Sequence, residues 1–442
     1  MEQALRGEPA PIGWRVRALV AGYSVSAYGN FLNLIALSLF TYQVVGTAFG
    51  IGAVMALRLF SGVLAGLGAG AITTALGPRT VMLGADAAQA AAMTVLAFSA
   101  RDPSLAPLLG AVVVLGAGNT LFTVALRSAV PVIVGQDERT RTNGLLVTTR
   151  SFATVLGFAS AAGIIAFGGY GLAFAVNAAT FVVSAAAVLA LRPPTTADAD
   201  PRTGAAAEPA PPQPVLQHPP GAGARRAPAG LPGLLLGMLI LRGTDAFASS
   251  SHNVALPIVA GLTSPDDPAL FMTGFWVAWA VGTALSPQLL RRLGGGKAYG
   301  PRAFALATGV MSISFVLAFT GLPVPALIGA ALVAGLADGC TEIVYVSRLQ
   351  AAPERERSRL FGLSASAETA GFSLGMLGAA AALEGFPALT VVAAFHGTAL
   401  CGALALSLYA FAPRHGALRP HHHPDLIPRH HRQLKKGHTW HA

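Results

Sequence analysis

Arg58, Arg242, Asp245, Asp338 and Glu342 are charged residues set inside long apolar runs of a 442-residue chain. A charge near the centre of a bilayer is costly, so such residues are functional candidates by default. Arg242 and Asp245 are three apart and Asp338 and Glu342 four apart, so on helices each pair shares a face. The acids have the chemistry to bind a proton or a cationic substrate. Burial favours a neutral acid and a nearby guanidinium favours the carboxylate, so an arginine that moves between two states could drive proton release. A fixed Arg242–Asp245 pair that stitches helices together is the competing reading. For Asp338 and Glu342, two like charges one turn apart disfavour joint ionisation. Arg58 has no acid nearby in its own helix, which suits an anionic substrate or a partner such as Asp245 or Asp338 across a bundle. Asn30, Asn33, Asn119 and the stretch Ser249 to Asn253 with His252 could line a cavity or hydrogen-bond between helices.

The elements that position these residues are membrane helices. Hydrophobic residues make up 53% of the chain and charged residues 11%, where a soluble domain carries about 25% charged residues. Leu172 to Leu191 runs through twenty residues without a charge, the length an α-helix needs to cross about 30 Å of hydrocarbon. Twelve such spans are expected, starting near Val16, Ile51, Val81, Leu105, Leu145, Leu172, Leu231, Phe271, Ala303, Val324, Leu360 and Ala388. Backbone amides in hydrocarbon must be satisfied within their own segment, so the spans are helices. The first apolar stretch lacks a small-residue cleavage site and reads as a retained span. Cys340 and Cys401 both fall inside spans, which gives no disulfide framework and no metal-ligand spacing.

The net charge of +10 is sorted by side rather than pooled in a nucleic-acid patch. With an inside N-terminus, every Lys and Arg except Arg58, Arg101, Arg127 and Arg242 falls on one side of the membrane or at helix ends facing it. The positive-inside rule then places both termini in the cytoplasm. Residues 192–230 are rich in Pro, Ala and Gly and are expected to be a disordered cytoplasmic linker. The organisation is therefore a cytoplasmic N-terminus (1–14), a six-helix bundle (15–191), the linker, a second six-helix bundle (231–412) and a basic tail (413–442).

The two bundles repeat one another. "ERTRTNGL" from Glu138 returns 218 positions later as "ERSRLFGL" from Glu356, and the same offset pairs "VLGFASAA" from Val155 with "SLGMLGAA" from Ser373. Leu76-Gly77 and Leu293-Gly294 match at nearly the same offset. Two parallel halves of this kind place a substrate site at their interface near the bilayer midplane.

On these residues, together with "LFTVALRSAVPVIVGQDERTRTNGL" (Leu121 to Leu145), "LAFAVNAATFVVSA" (Leu172 to Ala185) and "RLQAAPERERSRLFGL" (Arg348 to Leu363), the chain resembles the major facilitator superfamily. Within it, the chain is similar to the bacterial branch of enterobactin and macrolide exporters. The resemblance implies an all-α membrane protein of twelve helices in two pseudo-symmetric bundles, in a bacterial inner or plasma membrane, exporting a small molecule. It also implies a latch in the loop after the second span. Gly70, Gly77 and Arg79 of that loop remain, but Thr74 stands where the family has an acid, leaving Arg127 without its expected partner. Arg291 and Arg292 in the second half, Arg150 and Glu368 at equivalent repeat positions, and Arg359 are further gate or latch candidates. The family's antiporter signature in the fifth span has a helix-bending Pro, and this chain has Phe158 instead.

No P-loop, nucleophile elbow or His-Glu-x-x-His motif occurs, so no enzymatic activity and no cofactor is expected. From Arg419 to the end the tail carries seven histidines without fixed ligand spacing; a basic segment near anionic lipid is expected there rather than a metal site. The reading is a monomeric secondary transporter whose partners are the bilayer, a small-molecule substrate and protons, with no nucleic acid. Proton-coupled export of a drug, antibiotic or siderophore is the expected activity. Metabolite uptake, or a non-transporting sensor or assembly factor on the same fold, are the alternatives.

Overall fold

A computed structural model describes residues 14–134, 139–190, 233–294, 299–352 and 354–411. The expected N-terminal segment before residue 14, the linker at 192–230 and the His-rich tail at 413–442 lie outside the described residues. Those described are helices joined by short turns: α1 (Trp14–Val45), α2 (Ala48–Leu76), α3 (Pro78–Ser99), α4 (Leu105–Val134), α5 (Arg139–Ala190), α6 (Gly233–Thr263), α7 (Pro268–Gly294), α8 (Pro301–Ala318), α9 (Val324–Gln350), α10 (Glu354–Leu383) and α11 (Ala388–Phe411). The helical body closes at Ala410.

Eleven continuous helices therefore stand where twelve spans are expected, and the difference lies in α5. This 52-residue element runs through the expected fifth and sixth spans with no intervening loop, and breaks at Gly168 and Gly169. Gly169 sits at φ 67°, a left-handed conformation open to glycine at little cost. Both arms pack on α1, the first through Gly157 against Tyr28 and Phe31 and the second through Asn177 and Thr180 against Gly29, and the second also meets α3 where Gly171 lies on Ala97. Among the described residues, eight stretches are long and apolar enough to cross a membrane: α2, α3, α4, residues 145–190 of α5, α7, α8, α9 and α11.

Local chemistry sets the other boundaries. The Thr47 hydroxyl accepts the Gly50 amide and caps the start of α2. Gly77, at φ 79°, ends it and returns its amide to the Thr73 carbonyl. Pro78 then opens α3 at a position where a missing N–H costs nothing.

Packing repeats between the halves as the sequence repeat requires. In the first half α1 packs on α5, α2 on α4 and α3 on α4; in the second α6 packs on α10, α7 on α9 and α8 on α9. Across the halves α2 meets α10 and α7 meets α5, the exchange expected when two repeats are related by a two-fold axis. Small residues permit the close crossings. Gly116 of α4 lies directly against the Arg58 carbonyl of α2, and Gly371 and Gly375 of α10 lie against Gly243 and Phe247 of α6. Gly157 faces the Tyr28 carbonyl at a distance of 2.7 Å from where a Cβ would stand.

Candidate functional site: a charged cluster and a facing cavity

In the second half, close crossing of α6 and α10 at Gly243 brings Arg242 among carboxylates from three helices. Its guanidinium is 2.6 Å from Glu342 of α9, 3.4 Å from Glu368 of α10 and 3.9 Å from Asp245 of its own helix. Asp338, one turn from Glu342 on α9, feels the same charge without touching it. Arg242 also lies over the Tyr345 ring at 5.8 Å, and the Tyr345 hydroxyl donates to Ser364, whose own hydroxyl donates to Glu368. One cation thus pairs with three acids and lies within the field of a fourth. Asp245 is nearly buried, its side chain 7% exposed, whereas Glu342 is 52% exposed and reaches open space.

Three of these placements could not be read from spacing. Arg242 and Asp245 share a face as expected, but Glu342 is the nearer partner. Asp338 and Glu342 share a face too, yet Glu342 turns to the guanidinium. Glu368, grouped with gate residues by its depth, joins this cluster.

The first half holds a cavity of about 740 Å³ walled by α1 to α5. Arg58 reaches it near mid-span, and Arg127 and Arg150 line it toward the Arg-rich helix ends. Asn30 and Asn119 also line it, one of the two roles open to them from the sequence. Asp86 and Gln89 of α3 were not singled out from the sequence, although an acid within an apolar run was the available signal. Both are 1% exposed. Neither oxygen of the Asp86 carboxylate has a hydrogen-bond partner; the Ser184 hydroxyl faces it but does not reach bonding geometry.

α10 relates the two sites in depth. Gly52 of α2 packs on Met376 and Ala380, and Gly243 of α6 packs on Ala367 and Gly371. Counting along the helices at 1.5 Å per residue puts Arg58 and Arg242 within about one helical turn of the same level.

A third buried group is the pair His252 and His396, with Nδ1 of the first 3.2 Å from Nε2 of the second. His252 stacks on Phe315, ring centroids 3.7 Å apart. His396 was missed in the sequence, where it is the one histidine of the last apolar run.

The halves touch at the end away from the Arg-rich helix termini. The Phe49 amide donates to the Glu384 carboxylate at 2.7 Å, the Ala162 amide donates to the Thr273 hydroxyl at 3.2 Å, and Phe158 stacks on Trp276 at 5.6 Å. Both hydrogen bonds between the halves among the described residues are at this end. At the Arg-rich end the expected latch residues do not meet one another. Thr74 bonds the Gly70 carbonyl of its own helix, Arg79 donates to the Leu189 carbonyl, and Arg150 lies over Phe31 at 5.9 Å. Arg127, Arg291, Arg292 and Arg359 are exposed. Gly77 serves as the turn between α2 and α3.

Two halves that repeat one packing scheme, in contact at one end and with charges set at mid-span, have the arrangement of a membrane transporter. The chain belongs to the Major Facilitator Superfamily, whose family model matches residues 19–347. No curated protein sequence matches it. Solved structures share its fold. The POT family transporter PepTSo is 12% identical, with a TM-score of 0.67 over 90% of this chain and 98% of that one. The nucleoside transporter NupG, as a mutant, is 14% identical, with a TM-score of 0.62 over 90% of this chain and all of that one. A mutant of the peptide transporter POT in complex with sulfate is 14% identical, with a TM-score of 0.67 over 89% and 94%.

Proposed function

We propose that this transporter exports a small, partly hydrophobic molecule, of the drug, antibiotic or siderophore kind, in exchange for protons. The observation that carries the reading is the Arg242 cluster. Four carboxylates around one guanidinium leave an excess of negative charge at membrane depth, and such an excess is relieved by taking up protons or a cation. A proton arriving on Asp245, Asp338 or Glu342 weakens that carboxylate's hold on Arg242. Release of the guanidinium then couples proton binding to movement of α6, α9 and α10.

Alternating access is supported by the one-ended contact between halves. In this reading α5 counts as two spans, giving twelve, and the Arg-rich end faces the cytoplasm of a bacterial cell, in keeping with the positive-inside rule. The substrate enters between the halves near Arg58 and Arg242, and the protein works as a monomer. Export rests on the likeness of its motifs to exporters. Uptake of a metabolite is the second reading, favoured by Phe158: it stands in place of the antiporter proline and is stacked on Trp276 rather than bending its helix.

The test is purified protein in liposomes containing a pH-sensitive dye, challenged with lipophilic cations, macrolides and siderophores. Compound-dependent proton movement is expected in the wild type and lost in Asp245→Asn and Asp338→Asn. Silence across the panel from folded protein, or unaltered proton movement in both variants, would remove the proposal.

A further inference from the structure

The cavity of the first half holds cationic charge that the described chain does not balance. Arg58 has neither an ion pair nor a side-chain hydrogen bond among the described residues, and the same holds for Arg127 and Arg150, apart from the contact of Arg150 with the Phe31 ring. Asp86 is an acid in the same wall, yet its two oxygens are unpartnered, so it does not neutralise Arg58 in this state. The Gln89 side-chain oxygen is likewise buried and unpartnered. Three guanidinium groups against one carboxylate leave the described lining net positive, and low-dielectric walls concentrate that field. Its volume of about 740 Å³ falls within the range of pockets that enclose a drug-sized molecule.

We infer that this cavity binds an organic anion: a molecule with a carboxylate, sulfonate or phosphate group on an apolar body that also carries a hydrogen-bond donor. The anionic group pairs with Arg58, the donor satisfies Asp86 and Gln89, and the apolar body lies on Phe31, Phe122 and Phe181, which line the same space. Satisfying orphaned acceptors and an unpaired cation together is what separates such a ligand from a lipophilic cation, which the arginines would repel. The inference deepens the proposed export by naming its substrate class. It also accounts for the charge contrast between the halves, with cations on the first wall and acids on the second.

The experiment uses the full chain in nanodiscs of phosphatidylcholine, with no proton gradient. Three probes on one ring system are compared by equilibrium dialysis: 2-naphthoate, 2-naphthamide and 2-naphthylmethylammonium. Naphthoate is expected to bind at least about tenfold more tightly than either of the others. Arg58→Gln should abolish that preference and Arg58→Lys should keep part of it, with size-exclusion profiles and melting temperatures showing that both variants are folded. Asp86→Asn removes the only acid named in the wall and should strengthen naphthoate binding. Equal binding of naphthoate and naphthamide, or a preference that survives Arg58→Gln, overturns the inference. So does loss of naphthoate binding when phosphatidylglycerol is added to the nanodisc, which would assign the arginines to a lipid headgroup. Since no gradient is present, failure here leaves coupled transport standing, and failure of coupling leaves anion binding standing.

Discussion

Arg242 has a choice of carboxylates, and its distances rank them: 2.6 Å to Glu342, 3.4 Å to Glu368 and 3.9 Å to Asp245. Only the first is a well-formed charge-assisted hydrogen bond. A double-mutant cycle on thermal stability is therefore expected to give a larger coupling for Arg242 with Glu342 than with Asp245. With Glu342 half exposed, that coupling should be at the low end of the range of about 1.5–3 kcal/mol for hydrogen bonds to charged groups. Arg242→Gln leaves all four acids without a cation and is expected to destabilise the protein more than Glu342→Gln does. A melting temperature lower for Glu342→Gln than for Arg242→Gln would contradict this ranking. Much of this residue-level picture was hidden in the sequence. The three-residue step from Arg242 to Asp245 was visible because it is local, whereas the bonds to Glu342 and Glu368 depend on helix rotation that residue counting does not contain. Glu368 was legible as a membrane charge but not as a neighbour of Arg242.

The helices themselves were more legible, because hydrocarbon thickness and the need to satisfy every amide fix their length and type. The expected starts near Ile51, Val81, Leu105, Phe271, Ala303, Val324 and Ala388 fall inside or at the ends of α2, α3, α4, α7, α8, α9 and α11. The break in α5 was marked by two adjacent glycines, but whether they form a loop or a kink depends on packing against α1 and α3. The close crossings make a testable contrast. A Cβ on Gly116 would overlap the Arg58 carbonyl, while one on Gly84 or Gly110 meets nothing within 4 Å. Gly116→Ala is thus expected to cost about 1–3 kcal/mol through overpacking, while Gly84→Ala and Gly110→Ala should be neutral or stabilise by about 0.5–1 kcal/mol. Melting curves in one detergent would check the order. At the start of α2, Glu384 of the other half accepts the Phe49 amide, a helix N-terminal contact made across the two halves. Glu384→Ala should remove about 0.5–1 kcal/mol of closure at that end, enough to shift a two-state equilibrium two- to fivefold toward opening there.

For the whole molecule, the internal repeat gave the architecture in advance, since two copies of one bundle must bury equivalent faces against each other. The conformation was not legible, because the same sequence must form contacts at either end. Spin labels at Phe49→Cys and Gly385→Cys, with Glu384 intact, should report a short distance in the resting protein and a longer one when Glu384→Ala is added. Labels at Thr74 and Arg292, on the Arg-rich ends of the two halves, should move the opposite way. The central claim is that the carboxylates around Arg242 couple protons to transport rather than merely hold helices together. It is tested most directly by measuring substrate exchange and proton-driven accumulation side by side in liposomes, using a compound found active in the wild type, for Asp245→Asn, Asp338→Asn and Glu342→Gln. A coupling role predicts that at least one variant keeps exchange within about twofold of wild type while losing accumulation and compound-dependent proton flux. If every variant loses or keeps exchange and accumulation together, the cluster is structural and the account of coupling is contradicted.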